Sequence, residues 1–94
     1  MGSVETLSKE FTIKNKLGLH ARAAAAFVQL SNRFSSEIKL IKDGYTVNGK
    51  SILGVLSLAA IKGSKVEIVA TGEDALGALN EIERLIESGF GEGV

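Results

Sequence analysis

The side chains best suited to chemistry lie in a short segment around the only histidine of the chain. In Gly18-Leu19-His20-Ala21-Arg22, the imidazole comes directly before a run rich in helix formers, and an arginine follows two positions later. The first amides of a helix lack intrahelical partners and its dipole favours negative charge, so a phosphoryl group on His20 would be stabilised there. A ring nitrogen of His20 could act as the nucleophile, and the guanidinium of Arg22 could bind phosphate oxygens.

Position alone leaves other interpretations of these two residues open. A histidine at a helix start can be a simple polar cap, and a nearby arginine can be a solvated surface charge. A different function class is an enzyme in which His20 is a general base and Arg22 binds an anionic substrate. The sequence offers that enzyme no second histidine and no phosphate-cradling glycine loop. With one histidine and no cysteine, we expect neither a metal site nor a cofactor.

A second candidate is Ser51, which precedes the apolar segment 52–58 and is suited to cap a short helix there. A phosphate on this hydroxyl would be stabilised by the same helix amides, although capping alone would explain the serine. Five of the seven residues in the segment are large and apolar, more than a two-turn surface helix can bury. We therefore expect Leu53 and Leu56 to form an exposed docking patch, unless the helix is inserted more deeply. A plain interaction module built on this helix, with His20 incidental, is the third function class.

Hydrophobic periodicity places these candidates on an α+β fold. Predicted strands span 9–14, 37–41, 45–48 and 65–71, with Asp43-Gly44 forming a tight hairpin turn. Predicted helices span 21–34 and 52–58, and a third opens after Thr71-Gly72-Glu73-Asp74, with Leu76, Leu79, Ile82 and Ile86 as its buried stripe. The expected architecture is an open-faced β-sandwich of order β-α-β-β-α-β-α, a four-stranded antiparallel sheet with three helices on one face.

Length and composition set the domain organisation. The 94 residues suffice for one globular domain, expected over 9–88, with 1–8 a flexible N-terminal segment or expression scar and 89–94 a glycine-rich tail. The formal net charge of +0 argues against a nucleic-acid partner, and no run reaches the roughly 20 apolar residues of a membrane span. Because the chain has no cysteine, nothing implies an oxidising compartment, and we expect a monomer in the cytoplasm.

Three motifs in register over about residues 9–90 resemble the HPr family, the histidine-containing phosphocarriers of the bacterial phosphoenolpyruvate-dependent sugar phosphotransferase system. The motifs are Gly18-Leu19-His20-Ala21-Arg22, the run from Val47 to Leu58, and Ala70-Thr71-Gly72. The resemblance implies that enzyme I phosphorylates His20 on Nδ1 and that His20 passes the group to a IIA protein or domain. It also implies that Arg22 is the active-site arginine.

The same resemblance implies a regulatory site and a docking surface. Ser51 matches the serine that an HPr kinase/phosphorylase modifies in some bacteria to control carbon use. The resemblance further implies that these partners share one docking face, and four residues match its positions: Ala21, Ala25, Leu53 and Leu56.

Several positions depart from the family pattern. Ala23 replaces the usual proline after the arginine, which makes the helix start less rigid and predicts a modest effect on rate. Leu17 replaces a small polar residue that could orient the ring, so the group that sets the imidazole tautomer is left open. Segments 15–18 and 88–90 resemble the nitrogen-related branch, whose output is regulatory, whereas 50–55 keeps the sugar-branch pattern. A related regulator that lacks the histidine is disfavoured by His20.

Overall fold

Strands and helices follow one another in the predicted order in a computed structural model, which describes residues 4–92. The strands are β1 (Glu5–Thr12), β2 (Glu37–Lys42), β3 (Tyr45–Asn48) and β4 (Lys65–Gly72). The helices are α1 (Ala21–Ser31), α2 (Ile52–Ser57) and α3 (Ala75–Glu87). None of these helices is long and apolar enough to cross a membrane.

The four strands form one antiparallel sheet in the order β1-β4-β2-β3. Strand β4 lies between β1 and β2, so the crossover through α1 joins two strands that are not neighbours. The β2–β3 hairpin turns at Asp43 and Gly44, whose φ angles of 51° and 80° suit a tight primed turn. The predicted hairpin is therefore confirmed.

One face of the sheet is apolar and covered, and the other is charged and open. Alternate residues of the central strands, such as Ile38, Leu40 and Ile68, are buried, while Lys39 and Glu67 between them are exposed. Helix α3 packs on β1 and β4, and α1 contacts both α2 and α3. This arrangement confirms the predicted open-faced α+β sandwich.

Several boundaries differ from those predicted. Strand β1 begins at Glu5, which pairs with Gly72, so residues 5–8 belong to the sheet rather than to a flexible segment. The first three residues, the proposed expression scar, lie outside the described part of the chain. Helix α1 ends at Ser31 and not near residue 34, because Asn32 caps it. In α3, Leu76 is 59% exposed, since the alanines at 75 and 78 occupy the face that meets the sheet.

The start of α3 is held by a carboxylate that does not cap its own helix. Oδ2 and Oδ1 of Asp74 accept hydrogen bonds from the amides of Ser35 and Ser36, both at 2.9 Å, and both serine hydroxyls donate to the same carboxylate. The hydroxyl of Ser36, followed by the amide of Ser35, lowers the pKa of Asp74 from 3.8 to about 2. Asp74 thus ties α3 to the loop before β2.

The segment after α3 was predicted to be a glycine-rich tail, and in the structure it follows a defined path. Phe90 is buried with a φ of 58°, and its amide donates to the carbonyl of Leu85 at 2.8 Å. The amide of Glu92 donates to the carbonyl of Gly89 at 3.0 Å. These bonds turn the chain back over the core, and its direction determines where Glu92 lies.

Candidate functional site

The loop between β1 and α1 is held in place from two sides. Gly18 has a φ of +66°, and a Cβ there would lie 2.4 Å from the carbonyl oxygen of Ala60, so glycine is required. The amide of Leu19 donates to that same oxygen at 2.9 Å. On the inner side, Nδ2 of the buried Asn15 donates to the carbonyl of Gly18 at 2.7 Å. The loop therefore delivers His20 to the start of α1 in a fixed position.

His20 is the N-cap residue of α1. Its backbone is extended, with φ −77° and ψ −179°, and its carbonyl accepts the first intrahelical bond, from the amide of Ala24 at 2.8 Å. Its Nδ1 accepts a hydrogen bond of 3.3 Å from the amide of Arg22. That distance is long for N–H donation, so the bond is weak. Nδ1 thus faces the positive end of a helix whose first turn holds no acidic residue.

The other ring nitrogen faces a carboxylate from the segment that follows α3. Nε2 of His20 is 2.6 Å from Oε2 of Glu92, and the His20 side chain is 28% exposed. Nε2 itself is buried and forms no hydrogen bond of regular geometry within residues 4–92. The second oxygen of Glu92 accepts from Nδ2 of Asn15 at 3.1 Å. The Nε2 edge of the ring is therefore in contact with a carboxylate that the buried Asn15 amide holds in place.

Arg22 lies on the exposed side of the first turn. Its amide contacts Nδ1 of His20, while its guanidinium forms no ion pair with any residue from 4 to 92. A guanidinium in the first turn of a helix can bind an anion by charge-assisted hydrogen bonds. The phosphate-binding role of Arg22 stays a prediction.

Ser51 caps α2 as the sequence predicted. Its backbone is extended, with φ −112° and ψ 117°, and its Oγ accepts from the amide of Gly54 at 3.1 Å. This is the usual geometry of a serine N-cap, in which the hydroxyl satisfies the third amide of the helix. The hydroxyl has a structural function whether or not it is modified.

His20 and Ser51 lie near opposite ends of α1, as the hydrogen bonds of their neighbouring residues show. Lys50, the neighbour of Ser51, donates from Nζ to the carbonyl of Phe34 at 2.6 Å, just beyond the C-terminal end of α1. The loop that carries His20 instead contacts Ala60, which follows α2. Because α1 has 11 residues, the two sites lie at opposite ends of a helix about 16 Å long. Ser51 is therefore not a neighbour of the imidazole.

The predicted docking residues differ in exposure. Leu53 is 78% exposed, and Ala21 is also exposed. Leu56 and Ala25 are half-buried, and Leu56 packs against the core, so Leu56 contributes less to an exposed patch than expected. Two exposed apolar residues that were not among the predicted docking residues, Leu17 and Ile61, lie on the loops beside His20.

Sequence reasoning missed Asn15 and Glu92. A signal existed for Asn15, because it continues the alternation of Phe11 and Ile13 and so falls on the buried side. No local pattern marked Glu92, whose position depends on the turn at Phe90.

Sequence comparison finds relatives over nearly the whole chain. Residues 7–88 match the family described as the PTS HPr component phosphorylation site. A phosphocarrier protein HPr of Treponema pallidum is 46% identical over 84 residues, which are 89% of this chain and 96% of that protein. The HPr-like protein Crh of Bacillus subtilis is 43% identical over 81 residues, 86% of this chain and 95% of that one.

Structural comparison finds the same fold. HPr-C-His from Thermoanaerobacter tengcongensis superposes with a TM-score of 0.90 at 46% identity, covering 94% of this chain and 99% of that one. Crh from Bacillus subtilis, described as a dimer with a swapping domain, gives a TM-score of 0.72 at 43% identity over 86% of this chain and 93% of that one.

Proposed function

Because the chain belongs to the HPr family of phosphotransferase-system phosphocarriers, we propose that His20 accepts a phosphoryl group from phosphorylated enzyme I and passes it to IIA proteins or domains. Members of this family carry a phosphoryl group and are not enzymes. The observation that carries the proposal is the position of His20, whose Nδ1 faces the first-turn amides of α1 with only one weak hydrogen bond, of 3.3 Å, to give up.

In the proposed transfer, the lone pair of Nδ1 forms the bond to phosphorus. The bond between phosphorus and the leaving atom of enzyme I breaks, and its electron pair stays on enzyme I. The phosphoryl oxygens replace Nδ1 as acceptors for the amide of Arg22, where the helix dipole also favours them. The Arg22 guanidinium supplies charge-assisted hydrogen bonds. Transfer to IIA is the same step with the acceptor and donor exchanged.

Docking on a shared face would give the carrier its specificity. We assign this face to Ala21, Ala25, Leu53 and Leu56, which lie on two helices that pack against each other. Leu53 is 78% exposed, has the larger side chain of the two exposed residues and is the expected anchor. Since successive partners would use the same face, the carrier is proposed to act as a monomer in the cytoplasm. The dimer described for Crh makes this a point to check by light scattering.

Ser51 is proposed as a regulatory site for an HPr kinase/phosphorylase. Phosphorylation would add about two negative charges at the docking face without touching His20, which lies at the other end of α1. The alternative output, that of a nitrogen-related carrier with a purely regulatory function, is supported by segments 15–18 and 88–90. The sugar-branch output is supported by segment 50–55, which keeps the sugar-branch pattern. Discharge of the phosphorylated chain onto purified IIA proteins of each branch distinguishes the two outputs.

A mass measurement tests the proposed function. Incubation with enzyme I and phosphoenolpyruvate should add one phosphoryl group that is labile in acid and stable in base. His20→Ala should abolish the addition and Ser51→Ala should retain it, because His20 is the only histidine. An addition that survives acid, or one that His20→Ala retains, would contradict the proposal.

A further inference from the structure

The contacts of the imidazole are asymmetric in a way that defines one tautomer. Nδ1 lies opposite a backbone N–H, which can only donate, so Nδ1 must present its lone pair. Nε2 lies 2.6 Å from a carboxylate oxygen, which when ionised can only accept, so Nε2 must carry the proton. Two independent contacts therefore select the tautomer whose nucleophilic nitrogen is Nδ1.

From this geometry we infer that Glu92 is the positioning residue of His20. The inference rests on the proposed function of His20. In it, the Glu92 carboxylate orients the imidazole, which the apolar side chain of Leu17 cannot do. Glu92 touches the nitrogen that does not react, so it acts through the ring and not on the phosphoryl group. A carboxylate that orients an imidazole and stabilises its positive form is a recurring arrangement in acyl-transfer enzymes.

The chain holds Glu92 in place by two means. Its second carboxylate oxygen accepts from Nδ2 of Asn15, a fully buried side chain whose other amide hydrogen is used by the carbonyl of Gly18. The backbone approaches through Phe90, which is buried and ties the segment to the core. The carboxylate is thus anchored by the same asparagine that fixes the loop before His20.

Glu92 also has a role during transfer. When the lone pair of Nδ1 forms the bond to phosphorus, positive charge develops on the ring and is shared with Nε2. The bond from phosphorus to the donor breaks with its electron pair remaining on the donor, and the proton stays on Nε2. A carboxylate 2.6 Å away stabilises that charge in a buried position, where water contributes little. The contact lacks hydrogen-bond linearity in the resting protein, as is common before a partner binds.

The test combines nitrogen NMR with transfer kinetics. Because there is one histidine, its two ring nitrogens give unambiguous signals in ¹⁵N-labelled protein at about pH 9, where an ordinary imidazole is neutral. We expect the wild-type chain to show the ring proton on Nε2 with slowed exchange. Glu92→Ala should lose that protection and shift population toward the Nδ1-protonated form. Its kcat as a substrate of enzyme I should fall roughly 10-fold while KM is retained.

Two further variants separate orientation from charge. Glu92→Gln keeps an acceptor oxygen, so it should retain the proton on Nε2 but lose kcat because the compensating charge is gone. Glu87→Gln is the matched control: it removes the same charge from the end of α3, where Glu87 pairs with Lys14 on the surface, and it should match the wild type.

Three results would overturn the inference: a wild-type spectrum and kcat in Glu92→Ala, an equal loss in Glu87→Gln, or a rise in KM alone, which would make Glu92 a docking contact. If the wild-type chain accepts no phosphoryl group, the proposed function fails. The NMR measurement would still decide whether Glu92 orients the ring.

Discussion

The N-termini of α1 and α2 are built alike and differ in how firmly their caps are held. Both begin with a residue in extended conformation whose side chain accepts a backbone amide. Ser51 bonds the third amide of α2 at 3.1 Å, the ordinary capping contact. His20 bonds the second amide of α1 at 3.3 Å and is braced from behind by Glu92. One cap completes its helix, while the other leaves the helix end open to a different acceptor.

This difference separates a structural cap from one that can be exchanged. The proposed phosphoryl group on Nδ1 would replace a weak contact with stronger ones, so little stability would be lost on modification of His20. A phosphate on Ser51 must displace a hydroxyl that already satisfies the helix. We therefore expect changes at His20 and its partners to alter the chemical step, and changes at Ser51 to alter docking.

The largest effect is expected from a charge at the second cap. Ser51→Asp places a carboxylate on the proposed docking face, where desolvation and repulsion of about 2 kcal/mol would raise KM for enzyme I roughly 30-fold. Because Ser51 lies at the far end of α1 from His20, kcat should stay near the wild-type value. Steady-state kinetics with phosphorylated enzyme I measure both constants. A fall in kcat with KM unchanged would show that Ser51, like His20, affects the chemical step, and would contradict the proposed difference between the two caps.

Ser51→Ala is the control for that variant. It removes the cap without adding charge, so both kinetic constants should be retained while the free energy of unfolding falls by about 1 kcal/mol. Urea denaturation gives the second quantity.

A smaller effect, on kcat rather than on KM, is expected at Arg22, beside the His20 cap of α1. Arg22→Lys keeps the positive charge but loses the planar fork, so kcat should fall roughly 10-fold with KM and stability unchanged. Single-turnover transfer from enzyme I isolates the chemical step. A wild-type rate would show that the guanidinium geometry has no part in binding the phosphoryl group. Arg33→Lys, outside the site, is the matched control.

The smallest kinetic effect, none at all, is expected at the third helix start, where Asp74→Asn should leave transfer unchanged. The hydrogen bonds from Ser36 and Ser35 hold the pKa of Asp74 at about 2, below its ordinary 3.8. Its contribution to stability is therefore fully present above pH 3.8 and is lost as the pH falls through about 2. The variant should be less stable than the wild type at pH 7, and the difference should disappear near pH 2 in urea titrations. A constant difference across that range would show that the Asp74 charge does not matter.

Much of this arrangement was predictable because it is local. The alternation of Phe11 and Ile13, the Asp43-Gly44 turn and the capping serine each depend on neighbours within a few residues, and the structure confirms them. His20 at the start of α1 belongs to the same class, since the change from an irregular loop to a helix-forming run is visible in the sequence. The functional roles came from the family resemblance, because spacing alone also allowed a simple cap.

What could not be predicted depends on contacts distant in sequence. Strand β1 is longer than its own alternation suggested, because β4 pairs with it as far as Gly72. The exposure of Leu76 follows from the packing of α3 on the sheet, which periodicity does not determine by itself. Glu92 reaches His20 only through three successive left-handed residues around Phe90, a path that a glycine-rich composition does not reveal.

The bond between Asn15 and Glu92 joins residues 77 positions apart, near the two ends of the described chain. During synthesis on the ribosome, the sheet and helices could form while the imidazole still lacked its carboxylate, because residues 90–92 emerge after every strand and helix of the domain. Cleavage after Phe90 would have the same effect on the finished protein, because it removes Glu92 and leaves the buried aromatic side chain in the core. The proposed positioning of the imidazole is therefore added after the fold itself, by a segment made later than α3.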